Sequence, residues 1–83
     1  MNVKKLLTKF NALVFFDSCG TLNGYTEKIL DGYVIFVNEN LNQEKVAETV
    51  QHELWHIILG HLDDNKEMSE HDKELEVFLN MRG

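Results

Sequence analysis

The chain has 83 residues and a mass of 9.7 kDa, which is enough for one small domain. Apolar residues make up 43% and charged residues 27%, and proline is absent, so collagen-like, proline-rich and strongly disordered classes are excluded. The net charge is −6, and most acidic side chains lie in residues 39–76. No basic stripe is present, so we do not expect direct binding to nucleic acid.

Neither a membrane span nor a secretory signal is expected. No apolar run approaches the roughly 18 residues that a membrane span needs. The apolar run at residues 12–16 is shorter than the roughly 7–15 residues of a signal core, so we expect a cytoplasmic protein. The single cysteine, Cys19, cannot form an internal disulfide. A metal ion is therefore the next candidate for stabilising so short a chain.

The first half of the chain predicts a helix, a strand and a β-hairpin. The helix is expected at residues 2–10, and four apolar side chains fall on one side of it: Val3, Leu6, Leu7 and Phe10. Residues 13–16 are a short, buried strand candidate. Residues 25–30 and 33–37 are expected to form the hairpin, with Asp31-Gly32 as a tight type I′ turn.

The second half predicts two helices. The first should run from residue 43 to 59, with Asn42 as its N-cap and Gly60 at its C-terminal end. The second should run over residues 70–80, with Ser69 as its cap.

The order helix, strands, helix, helix is typical of an α+β domain with a small antiparallel or mixed sheet. We expect residues 1–83 to form this one domain. The β-hairpin would pack on the first long helix, together with the C-terminal helix.

The segment His52-Glu53-Leu54-Trp55-His56 predicts a metal site. Two histidines four residues apart lie about 40° apart around a helix and about 6 Å apart along it, so both imidazoles can bind one ion. Zinc accepts neutral imidazole nitrogen, and a catalytic zinc site usually has three protein ligands. Glu53 lies about 100° round from His52, which places it off the ligand stripe and suits a general base acting on water.

The third ligand must come from elsewhere in the chain. His61 follows His52 by nine residues, whereas the metzincin pattern places its third histidine at ten. Glu74 is the preferred ligand, because it lies at the edge of an apolar arc that should face the core. That arc consists of Leu75, Phe78 and Leu79. The alternative ligands are Glu70 and His71, and two further acids are expected to be solvated, Glu67 and Glu76.

Two segments resemble the ImmA/IrrE metallopeptidases. Phe36-Val37-Asn38, followed by Leu41 and then by residues 50–61, resembles the strand and the metal-binding helix of that family. Residues 73–79 resemble the next element, E-x-E-A-N-x-F-A, whose second glutamate is a zinc ligand and corresponds to Glu74.

This resemblance implies a zincin-like zinc endopeptidase, with His52, His56 and Glu74 as zinc ligands and Glu53 as the catalytic base. Family members are common in phages and mobile elements, where they act on a helix-turn-helix repressor. The resemblance therefore implies a protein substrate of that class.

Two other functions compete with this interpretation. A non-catalytic regulator would keep the zinc site and bind a repressor or toxin without cutting it. A structural zinc domain would use the metal for stability and would need a fourth protein ligand, from His61 or His71. The intact Glu53 favours the enzyme, because a purely structural site does not need that residue.

Overall fold

The computed structural model describes residues 1–62 and 69–82. Within them the elements follow in the order α1 (Val3–Lys9), β1 (Ala12–Asp17), β2 (Gly24–Ile29), β3 (Gly32–Asn38), α2 (Gln43–Ile58) and α3 (Glu70–Arg82). The predicted α+β class is confirmed. None of the described helices is long and apolar enough to cross a membrane.

The sheet is mixed, and β3 is its central strand. Its order is β1-β3-β2, with β1 parallel and β2 antiparallel to β3. The central strand is rich in β-branched and aromatic residues, which fit a strand with neighbours on both sides. Consequently β2 lies at an edge of the sheet.

The hairpin turn differs from the predicted one. Ile29 pairs with Gly32, so the loop residues are Leu30 and Asp31, and neither has the positive φ that a type I′ turn requires. Gly32 belongs to β3, and a Cβ there would overlap the carbonyl oxygen of Asn11. Asn11 also donates from Nδ2 to the Asp31 carbonyl at 2.7 Å. Gly32 is therefore required by the close approach of the α1–β1 connection rather than by the turn.

The core lies between one face of the sheet and α2. Its buried members come from β1, β3 and α2: Ala12, Ile35, Val37, Val50, Leu54 and Ile57. The apolar side of α1 packs against the same cluster, as its periodicity predicts. The strand predicted as buried at residues 13–16 is buried on one side only. Val14 packs against this core, whereas Leu13 and Phe15 lie on the opposite face of the sheet and remain about half exposed.

Both ends of α2 follow from the sequence. The Asn42 side chain accepts a hydrogen bond from the Lys45 backbone at 2.9 Å, which confirms the predicted N-cap. At the other end Gly60 has a φ of 72°. The backbone N–H groups of Gly60 and His61 donate to the carbonyls of Ile57 and His56, at 3.1 and 3.0 Å. This pattern is a Schellman motif, which turns His61 back over the end of the helix.

The buried side of α3 differs from the predicted one. Its cap is confirmed, because the Ser69 hydroxyl accepts from the Asp72 backbone at 3.1 Å. However, the side chain that α3 buries completely is Val77. The predicted apolar arc is about half exposed instead: Leu75, Phe78 and Leu79. Around the helix, Val77 lies between Glu74 and Glu76. Glu74 contacts His52 of α2 and Glu76 contacts His61 just after α2, and these contacts fix the rotation of α3.

We expect Leu54→Ala to lower the free energy of unfolding by about 2–5 kcal/mol, because a fully buried side chain would leave a cavity. Leu30→Ala is the matched control, since Leu30 is 98% exposed. It should change the unfolding free energy by less than about 0.5 kcal/mol. Urea denaturation of both variants measures the difference, and equal values would contradict this description of the core.

Candidate metal centre and active site

Three potential ligand residues meet between α2 and α3. Nε2 of His52 lies 2.8 Å from Oε2 of Glu74, and Nε2 of His56 lies 3.0 Å from Oε1 of the same carboxylate. The two Nε2 atoms are 3.3 Å apart. The structure thus brings together the three residues that the sequence predicts as ligands.

The arrangement of these atoms fits a small metal ion. Zinc bonds of about 2.0–2.1 Å in tetrahedral geometry separate neighbouring ligand atoms by about 3.3–3.4 Å. The imidazole pair already has this spacing, and the carboxylate oxygens are only a few tenths of an ångström closer. Two imidazoles and one carboxylate are also a donor set that catalytic zinc uses.

The environment of His56 favours the form that binds metal. Burial lowers the pKa of His56 below its usual value of 6.5, and the neighbouring His52 and His61 lower it further. The carboxylates of Glu53 and Glu74 oppose this change without reversing it. His56 is therefore neutral near pH 7, and metal ions bind neutral imidazole.

Glu53 is held beside the three-residue cluster by a contact with the sheet. Its side chain is buried, and Oε1 accepts a hydrogen bond from the hydroxyl of Thr26 at 2.8 Å. Thr26 lies on the inward face of β2, opposite Ile35 of the central strand. The edge strand therefore orients the carboxylate that the sequence predicts as the catalytic base.

His61 lies behind His56 rather than in the cluster. Its Nδ1 is 2.9 Å from Nδ1 of His56, and its Nε2 is 3.1 Å from Oε1 of Glu76. The expectation that Glu76 is solvated is therefore wrong, because a buried imidazole next to the C-terminal end of α2 recruits its carboxylate.

The alternative ligands lie apart from this cluster. The Glu70 side chain is 85% exposed and pairs with Lys73 at 3.5 Å, and His71 is exposed. Among the described residues, the ligand group consists of His52, His56 and Glu74. A fourth ligand from His61 or His71 is therefore not in place. The predicted solvation of Glu67 lies outside the described residues.

A cleft of about 690 Å³ opens beside the cluster. His52, Glu53 and Glu74 line one part of it, so two of the potential ligands and the candidate base face the same space. The other part includes three apolar side chains, Leu22, Phe78 and Met81. A cleft of this volume, with apolar side chains beside a few polar groups, is typical of ligand-binding sites.

The comparison with known families agrees with this geometry. The model of the family described as Peptidase_M78, IrrE N-terminal-like domain, matches residues 7–79. The chain belongs to this metallopeptidase family. No curated protein and no solved structure matches the chain significantly. The match covers the end of α1, the whole sheet, α2 and most of α3, and so includes every residue of the cluster.

Sequence reasoning did not predict the contacts of three residues beside the cluster, Thr26, His61 and Glu76. Thr26 belongs to a strand that was predicted, and the period-2 alternation would have put it on the face of Ile35. The Schellman signal of Gly60 would have turned His61 towards His56. Nothing in the sequence pairs Glu76 with His61, because that contact depends on how α3 docks.

Replacing Glu74 tests the third ligand. We expect Glu74→Ala to weaken metal binding by more than about 100-fold, which exceeds the usual effect of losing an outer-shell partner. Glu70→Ala is the matched control on the same helix, and it should leave the dissociation constant within about twofold of the wild type. Competition with a chromophoric chelator measures both. Equal metal affinity in the wild type and Glu74→Ala would remove Glu74 from the ligand set.

Removing the metal should also lower the melting temperature. With free metal at 100 times its dissociation constant, binding to the native state alone supplies about 2.7 kcal/mol. For a domain of this size that corresponds to roughly 10–20 °C in Tm. Thermal unfolding with and without chelator measures the shift. His52→Ala is the control, and its Tm should not respond to metal. An unchanged wild-type Tm after confirmed metal loss would contradict the expectation.

Proposed function

We propose that the protein is a zinc-dependent endopeptidase. The observation that carries this proposal is the position of Glu53, a buried carboxylate held at the same cleft as two of the three potential ligands, His52 and Glu74. A site used only for stability needs ligands but no additional carboxylate oriented beside them. Family membership supports a metallopeptidase function, and the proposal adds zinc, hydrolysis within a chain and the residue roles.

The roles of the residues follow from their contacts. His52, His56 and Glu74 would hold zinc, which supplies Lewis-acid polarisation of the scissile carbonyl and activation of water. Glu53 takes a proton from the attacking water and then returns one to the leaving amine. The Thr26 hydroxyl donates to Oε1 of Glu53 and so restricts the rotation of this carboxylate.

The cleft and the edge strand together suit an extended peptide. Gly24 at the start of β2 lines the cleft, and the sheet order leaves β2 at an edge. A substrate segment can add to such an edge through backbone hydrogen bonds, which are independent of its sequence. Leu22 and Phe78 are both more than half exposed and would contact an apolar substrate side chain.

We further propose that the substrate is a helix-turn-helix repressor of a phage or mobile element, cut in the cytoplasm. The resemblance to ImmA/IrrE metallopeptidases supports this class of substrate. The charge of the chain agrees with it, because a net charge of −6 favours encounters with a basic, DNA-binding partner.

Glu53→Gln separates chemistry from binding. This variant keeps the size of the side chain and a hydrogen-bonding group for Thr26 but loses the basic carboxylate. We expect zinc binding to persist and cleavage of the repressor to fall by a factor of about 10²–10⁴. Incubation with the helix-turn-helix regulator encoded nearest to the gene, followed by mass spectrometry of the products, measures the rate.

Glu44→Gln is the matched control, because Glu44 is exposed in the first turn of the same helix. Its cleavage rate should equal that of the wild type. Equal cleavage by Glu53→Gln and the wild type would reject Glu53 as the base. Tight binding by the wild type without cleavage would favour the non-catalytic regulator instead.

A further inference from the structure

The end of α2 brings a second histidine to the far side of a metal-ligand candidate. The Schellman motif at Gly60 ties the backbone N–H of His61 to the carbonyl of His56 at 3.0 Å. The centroids of the two rings are 5.1 Å apart, and the ring planes are inclined at 62° in an edge-to-face arrangement. Backbone geometry at the helix end therefore brings the imidazole of His61 against that of His56.

The His61 side chain is only 1% exposed, and both of its ring nitrogens have a partner within the protein. Nε2 contacts the Glu76 carboxylate at 3.1 Å, and Nδ1 contacts Nδ1 of His56 at 2.9 Å. Nε2 of His56 lies on the other side of its ring, 3.0 Å from Glu74. The contacts thus form a chain that runs from Glu76 through His61 and His56 to the metal-ligand cluster.

With a metal ion bound to Nε2 of His56, in place of the direct contact of that atom with Glu74, the chemistry of these groups would fix the direction of the hydrogen bonds. A carboxylate only accepts, so Nε2 of His61 carries the hydrogen and donates it to Glu76. The Nδ1 atom of a neutral His61 then accepts, so Nδ1 of His56 must donate. In a neutral His56 this leaves the lone pair on Nε2, which is the atom that faces the cluster.

We propose that His61 and Glu76 are positioning residues for His56: they hold its ring in the orientation and tautomer that bind metal through Nε2. This inference rests on the proposed function, because it assumes that His56 binds zinc. An outer hydrogen-bond partner of this kind fixes the tautomer of a ligating histidine and strengthens its binding.

The orientation of α3 agrees with this assignment. Measured across the buried side of the helix, Glu74 and Glu76 are about 160° apart, and Val77 lies between them. Val77 is fully buried, while Glu74 reaches His52 and His56 and Glu76 reaches His61. One helix therefore contributes both a candidate ligand and the acceptor at the end of the hydrogen-bond chain.

Two substitutions of His61 separate hydrogen bonding from packing. His61→Leu fills a similar volume without ring nitrogens, and we expect it to weaken zinc binding by about 10–100-fold. His61→Gln can accept from Nδ1 of His56 with its carbonyl and donate to Glu76 with its amide. It should therefore retain zinc affinity within about threefold of the wild type. Competition with a chelator measures both values, and circular dichroism confirms that the variants are folded.

A substitution of Glu76, with Glu70 as its control, tests the same inference if His61→Leu does not fold. Glu76→Leu should weaken zinc binding by about tenfold or more, whereas Glu70→Leu should have less than about a twofold effect. Both substitutions remove one negative charge from α3, so a difference between them reports the contact with His61 rather than the overall charge.

Nuclear magnetic resonance supplies a readout that packing alone would not change. In the zinc-loaded wild type, we expect the Nδ1 proton of His56 to exchange slowly and to couple to the Nδ1 nitrogens of both rings. Unchanged zinc affinity in folded His61→Leu or in Glu76→Leu would overturn the inference while leaving the proposed function intact. A wild type that does not bind zinc would reject both.

Discussion

The approach of the Glu74 carboxylate to two imidazoles determines how the second half of the molecule is arranged. His52 and His56 lie on a helix with apolar residues on either side of the histidine stripe, and polar groups in such a position are costly without a partner. Glu74 supplies that partner, with contacts of 2.8 and 3.0 Å. α3 is thereby placed against α2, and the cleft, the rotation of α3 and the contact of Glu76 with His61 all depend on this placement.

Those parts of the fold that depend on local signals could be predicted from the sequence. Asn42 and Gly60 mark the ends of α2 because capping chemistry acts within one turn of the helix. The strands of the hairpin were likewise apparent from their composition. The position of the turn could not be predicted, because Gly32 is required by the close approach of the Asn11 backbone, which is distant in sequence. A glycine required by such a neighbour resembles a turn glycine when the sequence is considered alone.

The candidate site divides in the same way. His52, Glu53 and His56 were found because helical spacing is a local property, and Glu74 because it lay at the edge of an apolar arc. That arc proved to be on the exposed side of α3, so Glu74 was identified with an argument that placed the wrong face inward. Glu74 nevertheless contacts His52 and His56, because it borders both the exposed arc and the side of α3 that carries Val77. The roles of these residues as ligands and base stay predictions, although their proximity is a property of the structure.

The small apolar contribution of α3 has a consequence for how metal would leave the site. Among its described side chains, at residues 70–81, only Val77 is completely buried, so opening this helix exposes little apolar surface compared with opening α2. Segments of this kind open locally at a smaller free-energy cost than the core does. Each such opening separates Glu74 from His52 and His56 and also Glu76 from His61. In the proposed enzyme, the lifetime of bound zinc would therefore follow the opening rate of α3 and not the global unfolding rate of the domain.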